Sequence, residues 1–228
     1  MRMHRNNFVI IFILFIVFLL SAHSSSGATT LRIKGGTYIG ISSPDFIKYI
    51  NGEAEKINTE DRLNAYGLGL NLGFDILFEV RNNLLFGPTF FIESSRTSAY
   101  FDLPGDNAQE YFYTSASLGC VGGRVMLRLP FVFDKYPYIF ASSGLAIGYV
   151  NMEDIPNRSD IPRHFPYGQY YWYRTYVSVG AGYQIPFFNI GDLFAQIEFV
   201  QPFGSFNMKG NDFIFRGLDI SGGYSRDF

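Results

Sequence analysis

The chain has 228 residues, a formal net charge of −2, 47% hydrophobic and 18% aromatic residues, 24 glycines and one cysteine. Removing Arg2 and Arg5 with an N-terminal leader takes the charge to about −4, and no basic cluster is present, so nucleic acid is not an expected partner. Cys120 alone excludes an intrachain disulfide, and after Leu20 no apolar run reaches membrane-helix length, so this composition enters lipid only as a closed sheet.

The chain starts with Arg2, His4 and Arg5, followed by an unbroken apolar run from Phe8 to Leu20 and a small-residue stretch from Ser21 to Ala28. Thirteen apolar residues suit a secretion-signal core and are short for a membrane-spanning helix. The expected division is a signal peptide at 1–28 and one domain at 29–228. Cleavage is placed after Ala28, with Ser24 as the second choice.

Eight alternating stretches follow. Side chains of a strand point to opposite faces in turn, so period-two patterning marks a strand with two different surroundings. Thr29–Ile41 comes first, with Leu31, Ile33, Thr37, Ile39 and Ile41 opposed to Arg32, Lys34, Gly36, Tyr38 and Gly40. Leu63–Glu79 is the cleanest: Tyr66, Leu68, Leu70, Leu72, Phe74, Ile76 and Phe78 face one way, and small or polar residues the other. Arg81-Asn82-Asn83 predicts a tight turn into Leu84–Thr97. Glu110–Leu129 is less regular around Gly119–Gly123, where a bulge is expected. Tyr138–Val150, Tyr170–Ile185, Asp192–Phe203 and Phe213–Phe228 complete the set. Long connections (Ser42–Arg62, Ser98–Gln109, Asn151–Gln169) alternate with short ones (Val80–Asn83, Phe131–Pro137, Phe187–Gly191), and Gly204–Asp212 is intermediate. Within the first long connection, Phe46, Ile47, Ile50, Ala54 and Ile57 predict one face of a short helix over Pro44–Asn58.

The bulky faces are read as lipid-facing. A soluble exterior is rich in Lys and Glu, whereas the polar faces here carry mostly Gly, Ser, Ala, Gln and Asn with isolated charges. Small residues suit the narrow interior of an eight-stranded barrel. Aromatic groups at Tyr111–Tyr113, Tyr136/Tyr138 and Tyr170–Tyr173 fall near strand ends, at the expected headgroup level.

The inward faces gather Arg32, Lys34, Asp75, Glu93, Arg124, Arg128, Arg174, Glu198 and Asp219. Charges withdrawn from water must pair or stay hydrated, so these groups are expected to form a salt-bridge network that fills the lumen. No metal ligand set and no cofactor motif is present. His164, the one histidine outside the leader region, lies in a Pro-flanked stretch near Ser159 and Asp160. It is expected to be a solvated loop side chain rather than part of a triad.

The final stretch, Gly217 to Phe228, alternates Leu218, Ile220, Tyr224 and Phe228 with Asp219, Ser221, Gly223, Ser225 and Asp227. Together with the leader and the alternation, it resembles the closing strand of small bacterial outer-membrane β-barrels of the OmpA, OmpX and OmpW types. Arg226 and Gly222 depart from that pattern. The resemblance implies an all-β, eight-stranded antiparallel up-and-down transmembrane barrel, located in the outer membrane and monomeric. It implies Tyr224 and Phe228 as an address for the barrel-insertion machinery, with outer-membrane lipid and a surface ligand held by the long loops as further partners. Three function classes are weighed. The preferred one is a plugged structural or surface-interaction protein, not an enzyme. The second is an OmpW-like conduit for small hydrophobic molecules, with Phe91, Leu118, Trp172 and Tyr176 inward and Pro88 weakening one strand pairing. The third is an outer-leaflet lipid enzyme built on His164.

Overall fold

The computed structural model describes residues 29–41, 44–64, 67–81, 83–104, 108–129, 136–188, 190–203, 206–208, 211–213 and 216–228. The expected signal peptide lies outside these residues, as does most of the Phe131–Pro137 turn. Among the described residues the strands are β1 (Thr29–Ile41), β2 (Leu68–Arg81), β3 (Leu84–Asp102), β4 (Gln109–Arg128), β5 (Tyr136–Pro156), β6 (Gly168–Phe187), β7 (Gly191–Pro202), β8 (Phe206–Met208), β9 (Asn211–Phe213) and β10 (Arg216–Asp227), and the helix is α1 (Pro44–Lys56).

Eight of these strands close into an antiparallel barrel in which each pairs with its neighbours in sequence, and β10 returns to pair with β1. Thr29 and Phe228 seal the seam by exchanging two backbone hydrogen bonds of 3.1 and 2.8 Å. The expected eight-stranded up-and-down fold is therefore present. The added β8–β9 hairpin stands apart from the barrel, inside the connection read as intermediate.

Alternation sets the two surfaces. Leu68, Leu70, Leu72 and Phe74 of β2 point out and are exposed, and Asn71 and Asp75 on the alternate positions are buried. Ile33, Ile92, Val125, Ile139, Ile147, Val179, Ile197 and Ile220 extend this exposed apolar belt around the barrel. So large an exposed apolar surface requires a nonaqueous neighbour.

Two local expectations are corrected. β4 carries no bulge at Gly119–Gly123, because its register against β3 and β5 is continuous. Gly122 and Gly144 face each other there, and each lies too close to the opposing backbone to accept a Cβ, so these glycines serve a close strand approach. The irregularity sits instead at Glu79/Arg81, beside the tight turn, where Asn83 adopts a left-handed φ of 67°. Asn tolerates that conformation better than most residues.

Barrel height is uneven. β3 to β6 run 19, 20, 21 and 20 residues, whereas β1, β2, β7 and β10 run 13, 14, 12 and 12. One half of the wall therefore rises past the other at the end opposite the termini. The sequence reading ended β3 at Thr97 and β5 at Val150, short of these extensions.

α1 packs against the inner surface of the tall half. Pro44 starts it, Asp45 favours its N-terminus and Lys56 its C-terminus, and Asn58, with φ 58°, turns the chain out of it. Phe46, Ile50 and Ala54, four residues apart, are fully buried. They join Leu63, Phe101, Phe112, Val150, Met152, Phe165, Trp172 and Met208 in one apolar cluster that roofs the barrel mouth. Ile50→Asp places a charge in this roof. The expected outcome is loss of hydrogen-exchange protection across α1, with the barrel strands still protected and the heat-dependent gel mobility of the folded barrel retained.

Candidate functional site

The inward face of β4 samples the lumen from the terminal end to the roof: Arg128, Met126, Arg124, Gly122, Cys120, Leu118, Ala116, Thr114, Phe112 and Glu110. The layers of the interior follow the same order.

At the terminal end, Arg128 donates to Asp227 at 3.1 Å, and Thr30 also donates to that carboxylate, at 2.5 Å. This clasp ties β4, β1 and β10 together at the rim, in partial contact with solvent. Above it lies an apolar layer of Leu77, Leu85, Met126, Tyr138, Phe140 and Phe194.

The charged layer comes next. The Arg124 guanidinium is fully buried and forks across the barrel, to Asp75 at 3.0 Å, Glu198 at 2.6 Å and Ser142 at 2.8 Å. Glu198 also accepts from Lys34 at 2.8 Å, Ser178 at 2.6 Å and Gln196 at 3.3 Å. Arg32 donates to Tyr138 at 2.6 Å, sits 3.6 Å from Asp75 and lies over the Phe194 ring at 3.9 Å. Lys34 lies 3.8 Å from Asp219 and 4.4 Å from the Phe91 ring centre. Glu93 accepts from Asn71 at 3.3 Å. Charge-assisted bonds of this kind are the strong class of hydrogen bond. They offset the desolvation of the buried ions.

The structure therefore brings Arg32, Lys34, Asp75, Arg124, Glu198 and Asp219 into one ion-pair layer, with Glu93 on its upper side. Two residues of the sequence set lie elsewhere. Arg128 belongs to the rim clasp. Arg174 has inward parity on β6 but is exposed, and its guanidinium donates to the Tyr173 carbonyl at 2.9 Å. Among the described residues the β6–β7 ladder begins at Tyr176↔Pro202, two positions short of Arg174.

A second apolar layer, Phe91, Leu118, Cys120, Ala146, Tyr176 and Val200, separates the charges from the roof. Three of the four inward candidates for a hydrophobic passage are here, and Trp172 is in the roof cluster. Pro88 interrupts the β2–β3 ladder, which passes from Asp75↔Thr89 to Phe78↔Phe86 without the two intervening pairs. A residue lacking N–H cannot donate to that ladder.

His164 is a loop side chain, as expected, but half-buried and engaged rather than freely solvated: its amide donates to Glu110 at 2.9 Å and its ring Nδ1 contacts the other Glu110 oxygen at 2.8 Å. Asp154 points inward beside Glu110 and accepts from the Phe165 amide at 2.9 Å. Phe165 then stacks on Phe101 at 4.4 Å and Phe112 at 5.4 Å. Two buried carboxylates thus pin a turn of the β5–β6 connection into the mouth. Asp160 is engaged elsewhere: its hydrogen bond from Arg158 holds its carboxyl below the usual range. Sequence reasoning missed this pairing because Glu110 and His164 are 54 positions apart and His164 lies in no periodic stretch.

No family model and no curated protein matches the chain. Among solved structures, it is similar to Neisserial surface protein A, at 11% identity and a TM-score of 0.45 over 88% of this chain and 97% of that one. It is similar to the attachment invasion locus protein of Yersinia pestis, at 14% identity and a TM-score of 0.38 over 89% of this chain and all of the other. It is also similar to the N-terminal β-barrel domain of Pseudomonas aeruginosa OprF, at 11% identity and a TM-score of 0.36 over 88% of this chain and all of the other.

Arg124→Met removes the shared donor from two buried carboxylates. The expected loss is about 3–5 kcal/mol of unfolding free energy in a urea titration of the lipid-embedded barrel. Glu110→Ala frees the pinned turn. Trypsin is then expected to cut after Arg158 or Arg163 while leaving the barrel strands whole. A closed eight-stranded meander with an apolar outer belt and a lumen filled by side chains is the architecture of a small outer-membrane β-barrel.

Proposed function

We propose that this barrel is a plugged, non-conducting scaffold that presents its outer connections at the cell surface. The observation that carries this reading is the stacking of the lumen. Between the rim clasp and the α1 roof lie an apolar layer, the ion pairs around Glu198, and a second apolar layer. An ion crossing this path must pass both apolar layers, each at a large desolvation cost, and displace the Arg124 fork between them. The roof gives the outer connections a rigid base: α1, the Glu110-pinned turn and Met208 of β8 share one core. Loops on a rigid scaffold are where binding residues concentrate, so a surface ligand is assigned to this end.

Outer-membrane lipid is the partner of the apolar belt. Tyr224 on β10 and the exposed Phe228 are assigned to recognition by the barrel-insertion machinery, and the chain is taken to act as a monomer without catalytic activity.

A conduit for small hydrophobic molecules is the second reading. It draws on the broken ladder at Pro88 and the apolar layer around Phe91. Planar-bilayer recording of the refolded chain separates the two. A silent membrane containing folded protein is the expected result. Discrete conductances blocked by hydrophobic solutes sink the plugged reading and establish the conduit.

A further inference from the structure

The outer face of the tall wall changes character above the apolar belt. The last belt row runs Ile92, Gly119, Ile147 and Tyr173 across β3 to β6, and the next runs Ser94, Ser117, Tyr149 and Tyr171. Tyr149 and Tyr171 lie side by side with ring centres 4.9 Å apart. Above them is a hydrogen-bonding row, Arg96, Ser115, Asn151 and Gln169. Two rows higher, Tyr100 and Tyr111 form a second ring pair, at 4.8 Å. Tyr100 is 66% exposed and Tyr171 61%.

A headgroup-level aromatic belt explains Tyr149 and Tyr171 but not the upper pair. Tyr100 is eight residues beyond Ile92, which at strand rise and barrel tilt is roughly 20 Å above the hydrocarbon edge. The face between the two tyrosine pairs is polar and nearly neutral, with Tyr113 beside Ser98 in its upper row. Arg96 supplies its positive charge, and Glu153, which accepts from Asn151 at 3.0 Å, supplies a negative one. Flat amphipathic rings flanking uncharged hydroxyl and amide groups suit a polyol. Pyranose C–H faces lie on the rings, and ring-edge hydroxyls bond to Ser, Asn and Gln. A peptide or nucleic-acid partner calls for apolar pockets or a basic stripe instead.

We propose that this face seats the saccharide headgroup of an outer-leaflet glycolipid. The surface is continuous with the lipid-facing belt below it on the same four strands, so the first molecules it meets above the hydrocarbon are headgroups of that leaflet. The site lies on the wall and not on the connections, so it stands apart from the plugged-scaffold reading and its test does not depend on conductance.

The experiment uses the refolded chain in phosphatidylcholine nanodiscs containing equal amounts of lipopolysaccharide and of lipid A, which lacks the core oligosaccharide. Glycolipid retained on the released barrel is counted by native mass spectrometry. The expected preference for the lipid that carries the core oligosaccharide is about tenfold. Tyr100→Ser/Tyr111→Ser and, separately, Asn151→Ala/Gln169→Ala are each expected to bring it toward parity while heat-dependent gel mobility stays that of the wild type. Equal retention of the two lipids by the wild type overturns the proposal, as does a preference that survives in both folded variants. A third arm adds the free core oligosaccharide to glycolipid-free nanodiscs. Binding as tight as that of the anchored lipid assigns the face to a soluble glycan and overturns the membrane source.

Discussion

Four strands of the barrel converge on one carboxylate. Glu198 of β7 accepts hydrogen bonds from Lys34 of β1, Arg124 of β4 and Ser178 of β6. Lipid outside the wall supplies no hydrogen-bonding groups, and apolar layers close the lumen on both sides of the charges. Every ionised group there must find its partner within the layer. The Arg124 fork meets this demand by reaching Asp75 two strands away on β2 while holding Glu198 three strands away on β7. The charged layer is a cross-brace, and the two apolar layers keep water from competing with it.

The second organising feature is the unequal wall. The low half of the rim gives α1 room to enter, and the inner face of the tall half supplies the apolar surface on which the helix packs. Extra strand length on one side and a helix in the connection from the other side are parts of one closure. The pinned turn at Glu110 completes it, bringing Phe165 against Phe101 and Phe112.

Much of this was legible in the sequence wherever the two faces of a strand meet different solvents. β1 runs from Thr29 to Ile41 as read, because Arg32 and Lys34 alternate with Leu31 and Ile33 from its start. The upper parts of β3 and β5 were illegible, since above the lipid the outward residues Ser94, Arg96 and Ser98 are no more apolar than the inward Ser95 and Thr97. Alternation vanishes there although the strand continues. Arg174 was assigned inward by parity alone, and parity carries no information about where the neighbouring strand stops. The helix was recoverable because Phe46, Ile50 and Ala54 keep a helical spacing. The Glu110–His164 pair has no local signature at all.

The seam between β1 and β10 has a consequence for assembly. Thr30 bonds to Asp227 across 197 positions of chain. Neighbouring hairpins form locally, but this contact waits until all the others have brought the two edges around, and its loop-closure entropy is met last. Until then, both edges expose unpaired backbone groups beside apolar side chains, which is the condition for pairing with the wrong chain. The rate at which β1 finds β10 therefore sets how long each newly delivered chain is exposed to aggregation.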